Sequence, residues 1–173
     1  EEDAAFWEEE VVEVFIDPDG DARDYLELEV NPRNVVVDLR ILTLKPDWDS
    51  SIPWDIAGLQ SAVQTYGTVD DSASVDQGWT VEIAIPYSAM ADSIKGGGKP
   101  KLSDSWRLNL YRIERKAGRQ IRSEIVQSKG QKSARLDSLQ DHYNDETEYT
   151  AWSETYTRGF HDPSRFGRVI FGE

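Results

Sequence analysis

Three glutamates at alternate positions of two neighbouring runs are the first residues here whose types and spacing could do chemistry. In VVEVFID (11–17), Val12, Val14 and Ile16 point one way, and Val11, Glu13, Phe15 and Asp17 the other. That is the period of a half-buried strand carrying an acid on its less apolar face. YLELEV (25–30) alternates in the same way, with Glu27 and Glu29 in phase. The acidic turn DPDGD (17–21) joins the runs, and its Pro and Gly supply the geometry of a hairpin. A simple register places Glu13, Glu27 and Glu29 on one face. Acid/base glycosidases use two carboxylates about 5–10 Å apart. The competing use is non-catalytic: carboxylates accept sugar hydroxyls, and Asn31, just after the second run, both donates and accepts. Alternation sets Glu beside Glu in many exposed strands, so the pattern alone argues weakly for catalysis.

Other candidates are narrower. Asp17, Asp19 and Asp21 have the spacing of the first three oxygen ligands of a Ca²⁺ loop, but the Gly falls a position early and the distant bidentate Glu is absent. A solvated hairpin tip uses the same residues. His142 and His161 sit in loops without ligand spacing. No GxSxG, Walker A or HExxH pattern occurs, so no nucleophile, phosphate-loop or zinc-protease motif is present. Trp7, ahead of the first strand, and Phe160, opening the last motif, are flat rings of the kind that stack on the C–H faces of sugars. The same spacing also suits core or loop-anchoring aromatics. Trp48, Trp54, Trp79, Trp106 and Trp152 read as packing residues.

The elements that must hold these groups are strands. NVVVDLRIL (34–42) alternates, with Val35, Val37, Leu39 and Ile41 on one face. WDIAGLQSAV (54–63) admits a short helix, but QSAVQTYG (60–67) alternates, and a strand is preferred there. GWTVEIAIP (78–86) predicts a strand with Val81, Ile83 and Ile85 inward, and YSAMADS (87–93) a helical turn. SWRLNLYRIER (105–115) sets Trp106, Leu108 and Leu110 against Arg107, Asn109 and Tyr111. Lys116 to about Glu148 is polar and reads as an insertion, with a helical turn near 134–140. YTAWS (149–153) is a short strand. In FHDPSRFGRVIF (160–171) a turn at 162–164 precedes a closing strand at 168–171. Seven or eight short strands with turn signals predict an all-β antiparallel sandwich, jelly-roll-like, over a single domain 1–173.

Composition narrows the partners. Of the 173 residues 38% are apolar, enough for a core, and there is no Cys, which excludes disulfide and thiolate chemistry. The net charge is −14, concentrated in residues 1–60, which hold 17 acids and 4 bases. Such an acidic surface disfavours nucleic acid and anionic membrane. No apolar run of membrane-spanning length occurs. No signal peptide is visible at the start, Glu1, which reads as a processed or truncated end.

Taken together and in order, FWEEEVVEVFIDPDGD, YLELEVNPRN, GWTVEIAIP, SWRLNLYRIER and FHDPSRFGRVIF closely resemble the family 9 carbohydrate-binding module-like domains of the DOMON-like β-sandwich superfamily. The resemblance covers most of the chain outside 116–148. It implies a non-catalytic domain that binds glucose, cellobiose or glycan chain ends in a slot between two aromatics. It also implies calcium, and attachment to a larger secreted glycan-processing protein, hence an extracellular or periplasmic location. Matched residue by residue, the slot aromatics are Trp7 and Phe160, the latter where the family has Trp. The polar Glu is Glu13. The Arg-x-Asn pair falls on Glu29 and Asn31, keeping only the Asn, and the later Gln falls on Tyr111 with Arg112 beside it. For calcium the candidates remain the spacing set Asp17, Asp19 and Asp21, and in the family part of the calcium site often lies ahead of the Trp7 motif. Family domains carry further strands ahead of the Trp7 motif, so the chain is expected to lack its N-terminal strands. The superfamily also admits a domain binding haem or another redox cofactor, for which His142, His161 and Met90 are the axial candidates, and the lost Arg admits a structural accessory domain that packs on a partner and has lost its sugar.

Overall fold

The computed structural model describes residues 10–42, 51–69, 71, 73–115, 147–156 and 160–172. Trp7, Trp48, His142 and the expected helical turn near 134–140 lie outside the described residues, as does most of the 116–148 insertion.

Nine strands are present and no α-helix occurs among the described residues. They are β1 (Val11–Asp17), β2 (Tyr25–Val30), β3 (Val36–Ile41), β4 (Ser51–Pro53), β5 (Gln60–Tyr66), β6 (Gly78–Ala84), β7 (Ser105–Arg115), β8 (Thr147–Ala151) and β9 (Gly167–Ile170). The larger sheet runs β4-β3-β2-β1-β7-β8, and β9 pairs with the other half of β7. β5 and β6 form a second sheet of two strands. Every pairing is antiparallel, so the fold is the all-β antiparallel sandwich that the alternation predicts. The strand at 60–66, preferred over a helix, is β5, and the helical turn after Pro86 is a 3-10 turn at Tyr87–Met90.

β1 and β2 join through a turn that closes on Asp17, whose side chain is wholly buried. Asp17 Oδ1 accepts the Gly20 N–H at 2.7 Å and Oδ2 accepts the Ala22 N–H at 2.9 Å. Gly20 sits at φ 72°, and a Cβ there would stand 2.7 Å from the Ser105 carbonyl oxygen. Only glycine meets both conditions. Arg107, paired with Asp17 across β1–β7, donates to the Gly20 carbonyl at 3.2 Å and to the Ser164 carbonyl at 3.2 Å. One guanidinium therefore ties the first hairpin to the last turn.

The two faces of the large sheet carry different cores. Val14, Ile16, Leu26, Leu28, Val30 and Trp106 face the small sheet, where Val63, Val81, Ile83 and Ile85 meet them. Ile56, Met90 and Ile94 fill this layer from the connections. The small sheet is narrower than its partner, and between them lies an apolar groove of about 420 Å³, with Val12, Ile85, Tyr87, Leu108 and Leu110 among its walls.

On the opposite face Phe15, Tyr25, Ile41, Tyr111 and Phe166 form a second, aromatic core. Here the structure departs from the half-buried strand read for β1. β2 is buried along its whole length and β1 at all positions but Val12. The segment 160–166 folds back over the acidic face: Phe15 packs 5.9 Å from Phe166 and 5.3 Å from Tyr25, ring centre to ring centre. Each such aromatic buries an apolar area worth roughly 2–3 kcal/mol.

Candidate functional site

The β1–β2 register sets Glu13 opposite Glu29 and Phe15 opposite Glu27. Directly opposed Cβ atoms lie about 4.5–5.5 Å apart. The three glutamates thus share one face, as the alternation requires, but they are not solvated: Glu13, Glu27 and Glu29 are 3%, 6% and 2% exposed. Across β7, Glu13 faces Tyr111. Phe160 lies flat on the Tyr111 ring, 4.1 Å between centroids at 14°, and the Tyr149 edge approaches Phe160 at 5.9 Å. Phe160 holds φ 66°, a left-handed conformation that bulky residues rarely adopt.

Burial sets the electrostatics of this floor. It pushes Glu13 up to about 8, helped by the charge of Glu29 and opposed by the guanidinium of Arg115. It pushes Glu29 up to about 7, against a hydrogen bond with Glu27 that pulls the other way. Glu27 is raised well above the carboxylate range by burial, then by its two acidic neighbours. His161 lies over the same spot, its Nδ1 hydrogen-bonded to the Tyr25 hydroxyl and 3.8 Å from Glu27 Oε2. Burial also raises the phenols of Tyr25 and Tyr111, so both stay protonated.

The residues expected in a slot divide as follows. Glu13, Tyr111 and Phe160 come together. The Tyr111 hydroxyl donates to the Phe160 carbonyl at 3.0 Å and accepts from Asn109 Nδ2 at 2.7 Å, so it positions the turn beneath Phe160. Asn31 is buried at the end of β2, and its Oδ1 accepts the N–H groups of Arg33 and Val35, both at 3.0 Å. Its carbonyl therefore shapes the β2–β3 turn. Arg112 is not in the slot. It pairs with Val12 across β1–β7, and alternation puts it on the opposite face from Tyr111, where it meets Glu114 and, at 4.0 Å, Glu148. Side chains of consecutive strand residues cannot share a face. Trp7 lies outside the described residues.

Sequence reasoning passed over Tyr25 and Asn109. Tyr25 is two residues from Glu27 in the same strand, so its place on the acidic face was there in the alternation. Its partner His161 is 136 residues away, a pairing that no local pattern encodes.

Asp17, Asp19 and Asp21 do gather, with oxygens all within 4.8 Å of one another. Burial pushes Asp17 up to about 6. Three carboxylates are fewer than the six to eight oxygens Ca²⁺ takes, and each already accepts a backbone N–H of its own turn. A Ca²⁺ ion here would need further oxygens from backbone carbonyls and water, and the turn is already tied by these N–H bonds. Chelation is accordingly expected to move the melting temperature by less than about 2 °C, which thermal scans with and without EGTA would check.

The two haem candidates among the described residues do not converge. Met90 is buried in the layer between the sheets and His161 packs on the opposite face of the large sheet. One haem cannot take both as axial ligands.

The model of the carbohydrate family 9 binding domain-like family matches residues 1–173. The chain belongs to that family. Its described strands supply the sandwich, and the acidic aromatic face of β1, β2 and β7 is the candidate binding surface of this family 9-like domain. Among solved structures it is similar to a Bacteroides uniformis protein provisionally described as carbohydrate-binding, with 16% identity and a TM-score of 0.57. The alignment covers 97% of this chain and 63% of that one, so the domain spans less than two thirds of that protein. At this identity the likeness speaks for the fold. No curated protein matches. Among the described residues no helix is long and apolar enough to cross a membrane.

Proposed function

We propose that this chain is a single non-catalytic carbohydrate-binding domain. It takes glucose- or cellobiose-type sugars or glycan chain ends on the face built by Glu13, Tyr111 and Phe160. The observation that carries the reading is the aromatic pair Tyr111–Phe160 stacked beside the buried carboxyl groups of Glu13, Glu27 and Glu29 in a chain of a binding-domain family. An aromatic platform next to polar groups suits a pyranose ring, which is apolar on its faces and polar at its rim. Glu13 accepts ring hydroxyls, and Trp7 supplies the second wall. Asn31 holds the turn at the edge of the slot. Family membership supports an extracellular or periplasmic location and a place within a larger secreted glycan-processing protein, with neither nucleic acid nor membrane as partner.

Calorimetry with glucose, cellobiose and a glycan panel tests this. Wild type is expected to bind, and Trp7→Ala and Phe160→Ala each to weaken binding roughly tenfold, the loss of about 1.4 kcal/mol of stacking. A wild-type protein that binds no glycan overturns the proposal. The haem reading predicts a Soret band in purified protein, and the glycosidase reading predicts hydrolysis of aryl-glycosides that Glu13→Gln abolishes. Neither is expected.

A further inference from the structure

Two carboxylate oxygens of the candidate slot, Glu27 Oε2 and Glu29 Oε2, are buried and have no hydrogen-bond partner. Their residues are more than nine-tenths buried. Each oxygen accepts a hydrogen bond when its carboxyl is ionised, and a buried acceptor left unmet is costly. A ligand that brings donors to this place is therefore favoured. One that also brings positive charge favours the ionised carboxyls. Three acids, Glu13, Glu27 and Glu29, meet on the face of β1 and β2, while among the described residues the facing groups able to carry positive charge are Arg115 on β7, beside Glu13, and His161, beside Glu27. Tyr25 and Tyr111 remain neutral phenols.

A metal ion fits poorly. Asp17, Asp19 and Asp21 are the acids among the described residues whose oxygens gather within 4.8 Å, and the three glutamates do not do so. A sugar hydroxyl offers one donor and no charge. A primary ammonium offers three donors and a full charge, over a span wider than a bare metal ion bridges. We propose that the slot takes an amino sugar, its protonated amine seated against Glu27 Oε2 and Glu29 Oε2 and its ring beside the Tyr111–Phe160 stack. This rests on the carbohydrate-binding reading and names the class of sugar. Phe160 and His161 lie over the carboxylates, so a ligand that reaches them must displace these two side chains, and Phe160 holds a strained left-handed backbone.

Glucosamine, glucose and N-acetylglucosamine share a ring and differ in charge at one carbon, which makes them matched probes for calorimetry. Wild type is expected to bind glucosamine at least about tenfold more tightly than the other two. Binding should release protons, seen as a buffer-dependent heat, because the amine draws the glutamates into their charged form. The affinity should peak near neutrality, where the glutamates can ionise and the amine still holds its proton. Glu29→Gln keeps the side-chain volume and is expected to erase the preference. Equal affinity for glucose and glucosamine, or a preference that survives Glu29→Gln, overturns the amino-sugar proposal and leaves the carbohydrate reading standing. Absence of binding to every glycan, charged or neutral, overturns both.

Discussion

Glu13→Gln is expected to make this protein more stable at and above neutral pH, and the wild type is expected to lose stability steadily as pH rises from acid to alkaline. A free glutamate titrates near 4.5, whereas burial, with the charge of Glu29, pushes Glu13 up to about 8 in the fold. Between those values the folded chain holds a proton that the unfolded chain has released. Stability from such a group is fully present below the unfolded value and drains away as pH climbs through the folded one. Glu29, raised to about 7, and Glu27, also raised by burial, act in the same direction. The glutamine amide has the same volume and no proton to lose. Removing the titration of Glu13 alone is worth on the order of 3 kcal/mol at pH 7, or roughly 6–12 °C in melting temperature for a chain of this length. Thermal scans of both proteins from mildly acid to mildly alkaline pH would check it. The curves should converge at acid pH and separate above it. Curves that stay parallel, or a variant less stable throughout, would show that these carboxylates are paired and charged in the fold.

The same three acids mark where the sequence speaks and where it stops. Alternation within VVEVFID and YLELEV, with a short turn between, was enough to place Glu13, Glu27 and Glu29 on one face, and the register bears that out. It also separated Val81, Ile83 and Ile85 from their outward neighbours, and these pack into the core. Periodicity assigns side chains to faces, and that rule puts Arg112, adjacent to Tyr111, on the wrong side for the slot. What period cannot tell is which face gets covered. A run of Glu on alternate positions looks solvated until the 160–166 segment, more than 130 residues downstream of Glu27, lays Phe160, His161 and Phe166 over it. The change from a hydrated strand face to a buried acidic floor is a tertiary event, and with it come the shifted protonation and the orphaned oxygens on which the binding proposals rest.

Asn109→Ala is expected to be the most damaging substitution of a polar residue on this face, and it should act on the slot without touching a ligand. Asn109 is wholly buried in the middle of β7. Its Oδ1 accepts the Ser153 N–H at 2.8 Å, and its Nδ2 donates to the Ser153 carbonyl at 2.7 Å and to the Tyr111 hydroxyl at 2.7 Å. One amide therefore docks the chain just after β8 onto β7, in the manner of one more ladder step, where Trp152 N–H already reaches the Leu110 carbonyl at 2.9 Å. Through Tyr111 it also reaches Phe160, because the Tyr111 hydroxyl donates to the Phe160 carbonyl. Alanine removes these bonds together and leaves the N–H and carbonyl of Ser153 and the phenol without their buried partner. Each group left unmet costs about 1–3 kcal/mol, and the shared network makes the loss larger than one bond, so a destabilisation on the order of 3–5 kcal/mol is expected in denaturant titrations. Asn109→Asp discriminates the cause. It keeps the acceptor for Ser153 N–H and the volume but turns the donor end into an acceptor facing a carbonyl, and it should be nearly as harmful as alanine. If Asn109→Asp is tolerated at neutral pH, the amide donor is not what holds Ser153 and Tyr111, and Phe160 must owe its place over the glutamates to ring stacking alone.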